Sequence, residues 1–129
     1  MSVKFNHTII WSTHKETSAR FFTEIFGLPD AKPFARFQVV ATANGVSMDF
    51  ADQEGRGIDP QHYAFLVSQD EFDDILARVA QRGITYWADP IRSRPGEINH
   101  NDGGRGIYFE GPDGHLYEAL TVPYGGTPN

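Results

Sequence analysis

Two histidines and two carboxylates are the residues best suited to chemistry in this chain, because one of each recurs at the same place in a repeated unit. His7 opens the apolar run Thr8-Ile9-Ile10-Trp11, and His62 opens Tyr63-Ala64-Phe65-Leu66-Val67. Asp49 sits at the centre of Val46 to Phe50, and Glu118 at the centre of Leu116 to Leu120. The chain has no cysteine, so imidazole and carboxylate are its strong metal ligands. A duplicated unit that brings one imidazole and one carboxylate per copy points to a shared metal site at the junction. Packing the copies about a pseudo-twofold axis would bring His7, His62 and Glu118 together. Two imidazoles and one carboxylate with open positions form the facial arrangement that suits Fe(II) and also serves Mn(II), Ni(II) or Zn(II), with room for a substrate binding through two oxygens. Asp49 is either a further ligand, a base or a solvent-facing residue.

These side chains need elements to hold them. Asn6 to Trp11 reads as a strand, and a helix follows from about His14 to Phe26, with Ala19, Phe22, Ile25 and Phe26 on one apolar stripe. Thr13 with Glu16 and Ser68 with Glu71 have the [ST]-x-x-E form of a capping box, each six residues past its histidine for the hydroxyl. Gly27 and Gly83 supply the terminators. Phe34 to Thr42 is extended, and Asn44-Gly45 predicts a tight hairpin into Val46 to Phe50. Residues 53–60 are the linker. In the second copy Phe72, Ile75, Leu76 and Val79 form the helical stripe, and a strand follows near Ile84 to Trp87. Pro90 to Gly104 lacks apolar periodicity, an insertion relative to the first half, and is read as a lid. Gly106 to Phe109 and His115 to Val122 form a hairpin around Gly111-Pro112-Asp113-Gly114. Each copy ends in hairpins rather than crossovers, so the expected class is α+β, one domain over residues 1–129 with module one at about 4–52, module two at about 61–122 and a tail at 123–129.

Composition narrows the partners. A net charge of -6 without a Lys/Arg cluster argues against nucleic acid, and the longest apolar run is too short for a membrane span. The N-terminus lacks the blocks of a signal peptide, which leads to the expectation of a cytoplasmic protein. Apolar residues at 40% and aromatics at 13% are enough to fill a core and line a cavity for a small molecule. Trp11 and Phe65 are candidate lining residues, and Arg92, Arg94 and Arg105 are candidate binders of a substrate carboxylate. His14 and His115 are expected to be solvated.

From His7 to Glu118 the chain resembles the vicinal oxygen chelate superfamily, which includes glyoxalases, extradiol dioxygenases, fosfomycin resistance transferases and bleomycin-binding proteins. The resemblance implies paired βαβββ modules forming a cupped, mostly antiparallel sheet, with His7, His62 and Glu118 as the metal ligands and a homodimer as the assembly. The run Ile98-x-His100 followed by Ile107-Tyr108-x-x-Gly111-Pro112-x-Gly114-x-x-x-Glu118 resembles the extradiol ring-cleaving signature, with Gly111 where that signature has an acidic or small polar residue. It implies that His100 and Tyr108 contact substrate and oxygen and that Fe(II) is the favoured ion; Asp49, a further catalytic candidate, departs from the pattern by standing roughly in the strand where those dioxygenases place a catalytic histidine. A glyoxalase-type lyase or isomerase, and a metal-free antibiotic-binding protein, are the alternatives within the same resemblance.

Overall fold

The computed structural model describes residues 2–126. The chain forms two compact units, one ending at Asp59 and one beginning at Pro60. Each contains one helix and one four-stranded mixed sheet, so the expected α+β class and the βαβββ modules are observed. No helix among the described residues is long and apolar enough to cross a membrane.

The first unit runs β1 (His7–Ser12), α1 (Lys15–Phe26), β2 (Lys32–Phe34), β3 (Phe37–Ala41) and β4 (Ser47–Asp52), with sheet order β1-β4-β3-β2. Strands β1 and β4 are parallel, and the other pairs are antiparallel. Helix α1 buries Ser18, Ala19, Phe22, Thr23 and Ile25, close to the stripe expected from the sequence. The rings of Phe22 and Phe50 lie 5.7 Å apart, so α1 covers the sheet face that carries Ile10, Met48 and Phe50. His7, Ile9 and Trp11 alternate onto the opposite face, together with Ser47 and Asp49.

Two local expectations for this unit need correction. Helix α1 begins with His14 at the cap position, whose side chain makes no cap bond, rather than with the Thr13–Glu16 box. The Asp52 carboxylate at the end of β4 accepts from the Lys15 backbone N–H at 2.8 Å instead, a tertiary cap that local sequence cannot announce. The tight hairpin expected at Asn44-Gly45 is present as a three-residue loop, in which Gly45 takes a positive φ, +82°, and Thr42 N–H bonds Val46 O at 3.0 Å. Ala35, at φ +50°, turns the extended run 34–42 back on itself and splits it into β2 and β3.

The second unit runs β5 (His62–Leu66), α2 (Gln69–Gln81), β6 (Tyr86–Trp87), β7 (Gly106–Glu110) and β8 (Leu116–Leu120), in the order β5-β8-β7-β6. Again the first and last strands are parallel. The capping box predicted here is present: Ser68 Oγ accepts from Glu71 N–H at 3.1 Å and Glu71 Oε1 from Ser68 N–H at 2.8 Å. Such a cap contributes about 1 kcal/mol. Phe72, Ile75 and Val79 are the buried helix positions, and Tyr63, Phe65, Phe109 and Tyr117 form an aromatic group on one sheet face. Gly111 has a steric reason, because a Cβ there would meet the buried Tyr117 ring at 2.5 Å.

His115 is buried rather than solvated, with Nδ1 accepting from Gln61 N–H at 3.0 Å and its ring edge-on to Tyr63. The loop expected to act as a lid is stitched down. Asn99 exchanges both backbone hydrogen bonds with Gly106, and its buried amide donates to Ala88 O at 2.8 Å and accepts from Asn101 N–H at 3.1 Å. A polar side chain that answers buried backbone groups converts an irregular segment into a fixed one.

Replacing Asn99 with Ala leaves the Ala88 carbonyl and the Asn101 N–H unanswered and is expected to cost about 2 kcal/mol in urea denaturation; an unchanged midpoint would show that the amide does not hold the loop. Burial raises the Tyr63 and Tyr117 phenols above their ordinary value, so the folded state favours the neutral forms. Stability is therefore full below about pH 10, where an unfolded tyrosine titrates, and falls as pH rises towards the higher folded values. In an alkaline titration, phenolate absorbance from these residues should appear together with loss of circular dichroism; their ionisation at the ordinary value with the fold intact would contradict this.

Candidate functional site

Glu118 is the charged side chain that the second unit hides most completely, at 1% exposure in the centre of β8. The register explains its surroundings. Glu118 is paired with Ala64 on β5 and with Tyr108 on β7, so these three side chains share one sheet face, opposite the Tyr63–Tyr117 aromatic group. Ala64 presents only a methyl group. His62, two residues earlier on the same face, reaches diagonally past it and donates from Nε2 to Glu118 Oε1 at 2.9 Å. The imidazole is 43% exposed and the carboxylate 2%, so the pair is open on the histidine side.

Two phenols complete the group. Tyr124 OH lies 2.8 Å from Glu118 Oε1 and 2.7 Å from Oε2, and 3.1 Å from Tyr108 OH. A phenol has one proton to give, so Tyr124 donates it to the carboxylate and accepts from Tyr108. The His62 and Tyr108 rings meet edge to face at 5.8 Å. Burial raises the Tyr108 phenol, and the charge of Glu118 adds to this. The Tyr124 phenol is raised by burial and then by its bond to Glu118. Both therefore remain donors at neutral pH.

The first unit repeats the register. His7 pairs with Ser47 and Ile9 with Asp49, as His62 pairs with Leu116 and Ala64 with Glu118, so each histidine precedes the partner of its acid by two residues. The contacts differ: Asp49 accepts from Ser47 Oγ at 2.8 Å, and exposed His7 bonds through Nδ1 to Asn6 Oδ1 at 2.6 Å. Among the described residues no group of three or more His, Asp or Glu is arranged to hold an ion, so the fully formed donor pair is His62 with Glu118.

The remaining sequence candidates have diverse placements. Phe65 packs against Tyr117, on the opposite sheet face from His62 and Glu118, and so does not line this site, because strand alternation sends it away. Arg105 directs Nε to Gln69 Oε1, one terminal nitrogen to Asp73 and the other to Gln69 O, and stacks 4.5 Å over Phe72; it ties α2 to the start of β7. Arg92 pairs with Glu110 at 3.1 Å and lies 5.1 Å over the Trp87 ring. Arg94 is exposed and helps to hold the Asp89 carboxyl below its ordinary value, a shift caused chiefly by the Ser93 hydroxyl. His100 is exposed at the start of a short 3-10 turn, and Trp11, 38% exposed, lies on the His7 face of the first sheet. Tyr124 was missed because it lies in the tail, beyond the repeated pattern.

Comparison with known proteins identifies the family. Residues 4–119 match the family model described as Glyoxalase/Bleomycin resistance protein/Dioxygenase superfamily. The chain is similar to the solved structure of the oxidase ChaP-H2, with 55% identity, 98% of this chain and 100% of that one covered, and a TM-score of 0.95. It is similar to the oxidase ChaP-H1 at 54% identity, 97% and 100% coverage, and a TM-score of 0.94. It also resembles glutathione transferase FosA of Serratia marcescens, 28% identical over 126 residues, covering 92% of this chain and 80% of that protein. With the family model matching nearly its full length, and with its two βαβββ modules, the chain belongs to the glyoxalase, bleomycin resistance protein and dioxygenase superfamily.

Proposed function

We propose that the protein is a divalent-metal-dependent oxygenase or oxidase acting on a small aromatic substrate that binds through adjacent oxygens, with His7, His62 and Glu118 as the metal ligands. The observation that carries this reading is the His62–Glu118 pair. The two side chains meet at 2.9 Å on one sheet face, with the imidazole open to solvent, and so would offer a nitrogen and an oxygen to the same ion. An imidazole and a carboxylate are also the donor chemistry that Fe(II), Mn(II), Ni(II) and Zn(II) accept, and Fe(II) is the ion we favour. His7 joins the set by its equivalence in register to His62.

When bound, the ion would supply substrate ionisation and electron transfer to oxygen. The chain's own residues do the rest. Glu118, buried and bonded by two donors, the His62 imidazole and the Tyr124 phenol, is held in one orientation before any ligand arrives. Tyr108 is protonated, buried and hydrogen-bonded toward Glu118 through Tyr124, which suits it to hold or release a proton beside a substrate oxygen. Asp49 and His100 are assigned supporting catalytic roles, Arg94 contact with substrate, and Trp11 part of the lining. Similarity to two proteins named as oxidases, each above half identity, supports oxygen chemistry over the lyase alternative. The reading includes a homodimer. The likeness to a glutathione transferase favours thiol transfer as the second reading.

His62→Ala should abolish stoichiometric divalent metal while leaving circular dichroism intact, because the side chain is partly exposed and does not fill the core; unchanged metal content on purification would remove the site. Anaerobic reconstitution with Fe(II), followed by oxygen consumption with a panel of catechols, should give diol-dependent uptake. Absence of uptake with every diol, together with glutathione adduct formation on an electrophile, would replace oxygenation with thiol transfer.

A further inference from the structure

We infer that Tyr124 is a positioning residue for the proposed metal site: its phenol latches the C-terminal segment onto Glu118 and fixes the carboxylate toward His62. The inference rests on the metal-site reading above and extends it to a residue outside the repeated modules. Tyr124 lies four residues beyond the end of β8, so no sheet register determines where it goes. Its residue is 64% exposed, yet its hydroxyl meets both oxygens of a carboxylate that is 1% exposed. An exposed ring with an inward-pointing hydroxyl has little apolar reason to lie there, and the bond to Glu118 supplies one.

The geometry divides the carboxylate between two neighbours. Oε1 is the oxygen shared with His62, whereas Oε2 accepts from Tyr124 at the shorter distance of 2.7 Å. The phenol also lies 2.8 Å from Oε1, but its contact with Oε2 is to the oxygen that His62 does not touch. Tyr108 O–H donates to the Tyr124 oxygen at 3.1 Å and thereby orients the single Tyr124 proton toward Glu118. Without the phenol, the carboxylate loses the donor that opposes its rotation away from His62. The same contact anchors Pro123 to Gly126, whose Gly126 N–H bonds Pro123 O at 2.9 Å in a closed turn, across this face of the sheet.

The test uses the full-length protein and its Tyr124→Phe variant, with Mn(II) as the probe. Mn(II) binding is followed by the loss of the free-ion electron paramagnetic resonance signal, and amide exchange of residues 121–126 is followed without metal. Tyr124→Phe should keep the fold, weaken Mn(II) binding about tenfold or more, and speed exchange of the tail in the metal-free protein. Tyr108→Phe should produce a smaller loss in the same direction. Equal or tighter Mn(II) binding by Tyr124→Phe overturns the inference alone, since the phenol would then be indifferent to the ion or a competitor of it. Unchanged tail exchange also overturns it, because the latch would not exist. Wild-type protein that takes up no Mn(II) and no Fe(II) overturns the site reading and this inference with it.

Discussion

A buried carboxylate that must be answered by hydrogen bonds is the constraint around which the second module is arranged. Glu118 lies in the middle of a strand whose neighbours Tyr117 and Ala119 belong to the core on the other face. Leaving such a group without partners costs several kcal/mol, and two donors meet it here, the His62 imidazole and the Tyr124 phenol, the latter oriented by the Tyr108 phenol. The strand order β5-β8-β7 is what makes this possible. It places the histidine strand on one side of the acid and the tyrosine strand on the other, so the carboxylate is reached from both flanks.

The two modules show how one register can support different local chemistry. In both, the helix takes one sheet face and frees the other for polar side chains, and the histidine and acid occupy corresponding rungs. Asp49 has an arm one methylene shorter than Glu118 and is engaged by Ser47, whereas Glu118 spans the diagonal to His62. Side chains separate these outcomes on the same backbone pairing: the rung opposite the histidine carries the Ser47 hydroxyl in one module and the apolar Leu116 in the other. Polar residues elsewhere are put to structural use. Arg105 bonds α2 at three nitrogens, Asn99 pins the long loop to β7, and His115 answers the Gln61 N–H inside the core. These three are the kind of residue that composition-based reasoning assigns either to substrate or to solvent.

Much of the architecture was legible because it depends on short-range patterns. Helical periodicity marked Phe22, Ile25, Phe72, Ile75 and Val79, and the Ser68–Glu71 box marked the start of α2. The Thr13–Glu16 box failed because Asp52, distant in sequence, answers the first helical N–H, and that acceptor depends on where β4 ends. The aromatic assignment of Phe65 failed at the level of the sheet face: the residue is apolar on a strand, and which side it serves is decided by its partner Ala119 and by the position of Tyr117.

The sequence by itself determined the duplication, the element order and the placing of one histidine and one acid in each copy, because periodicity, capping motifs and turn residues act over a few neighbours. Tertiary structure alone decided that Glu118 is buried, that His62 reaches it, that Asn99 and His115 turn inward, and that a tyrosine from the tail completes the group. Those outcomes depend on the strand order and on which backbone and carboxylate groups lose water, and both come into being only when distant segments pair.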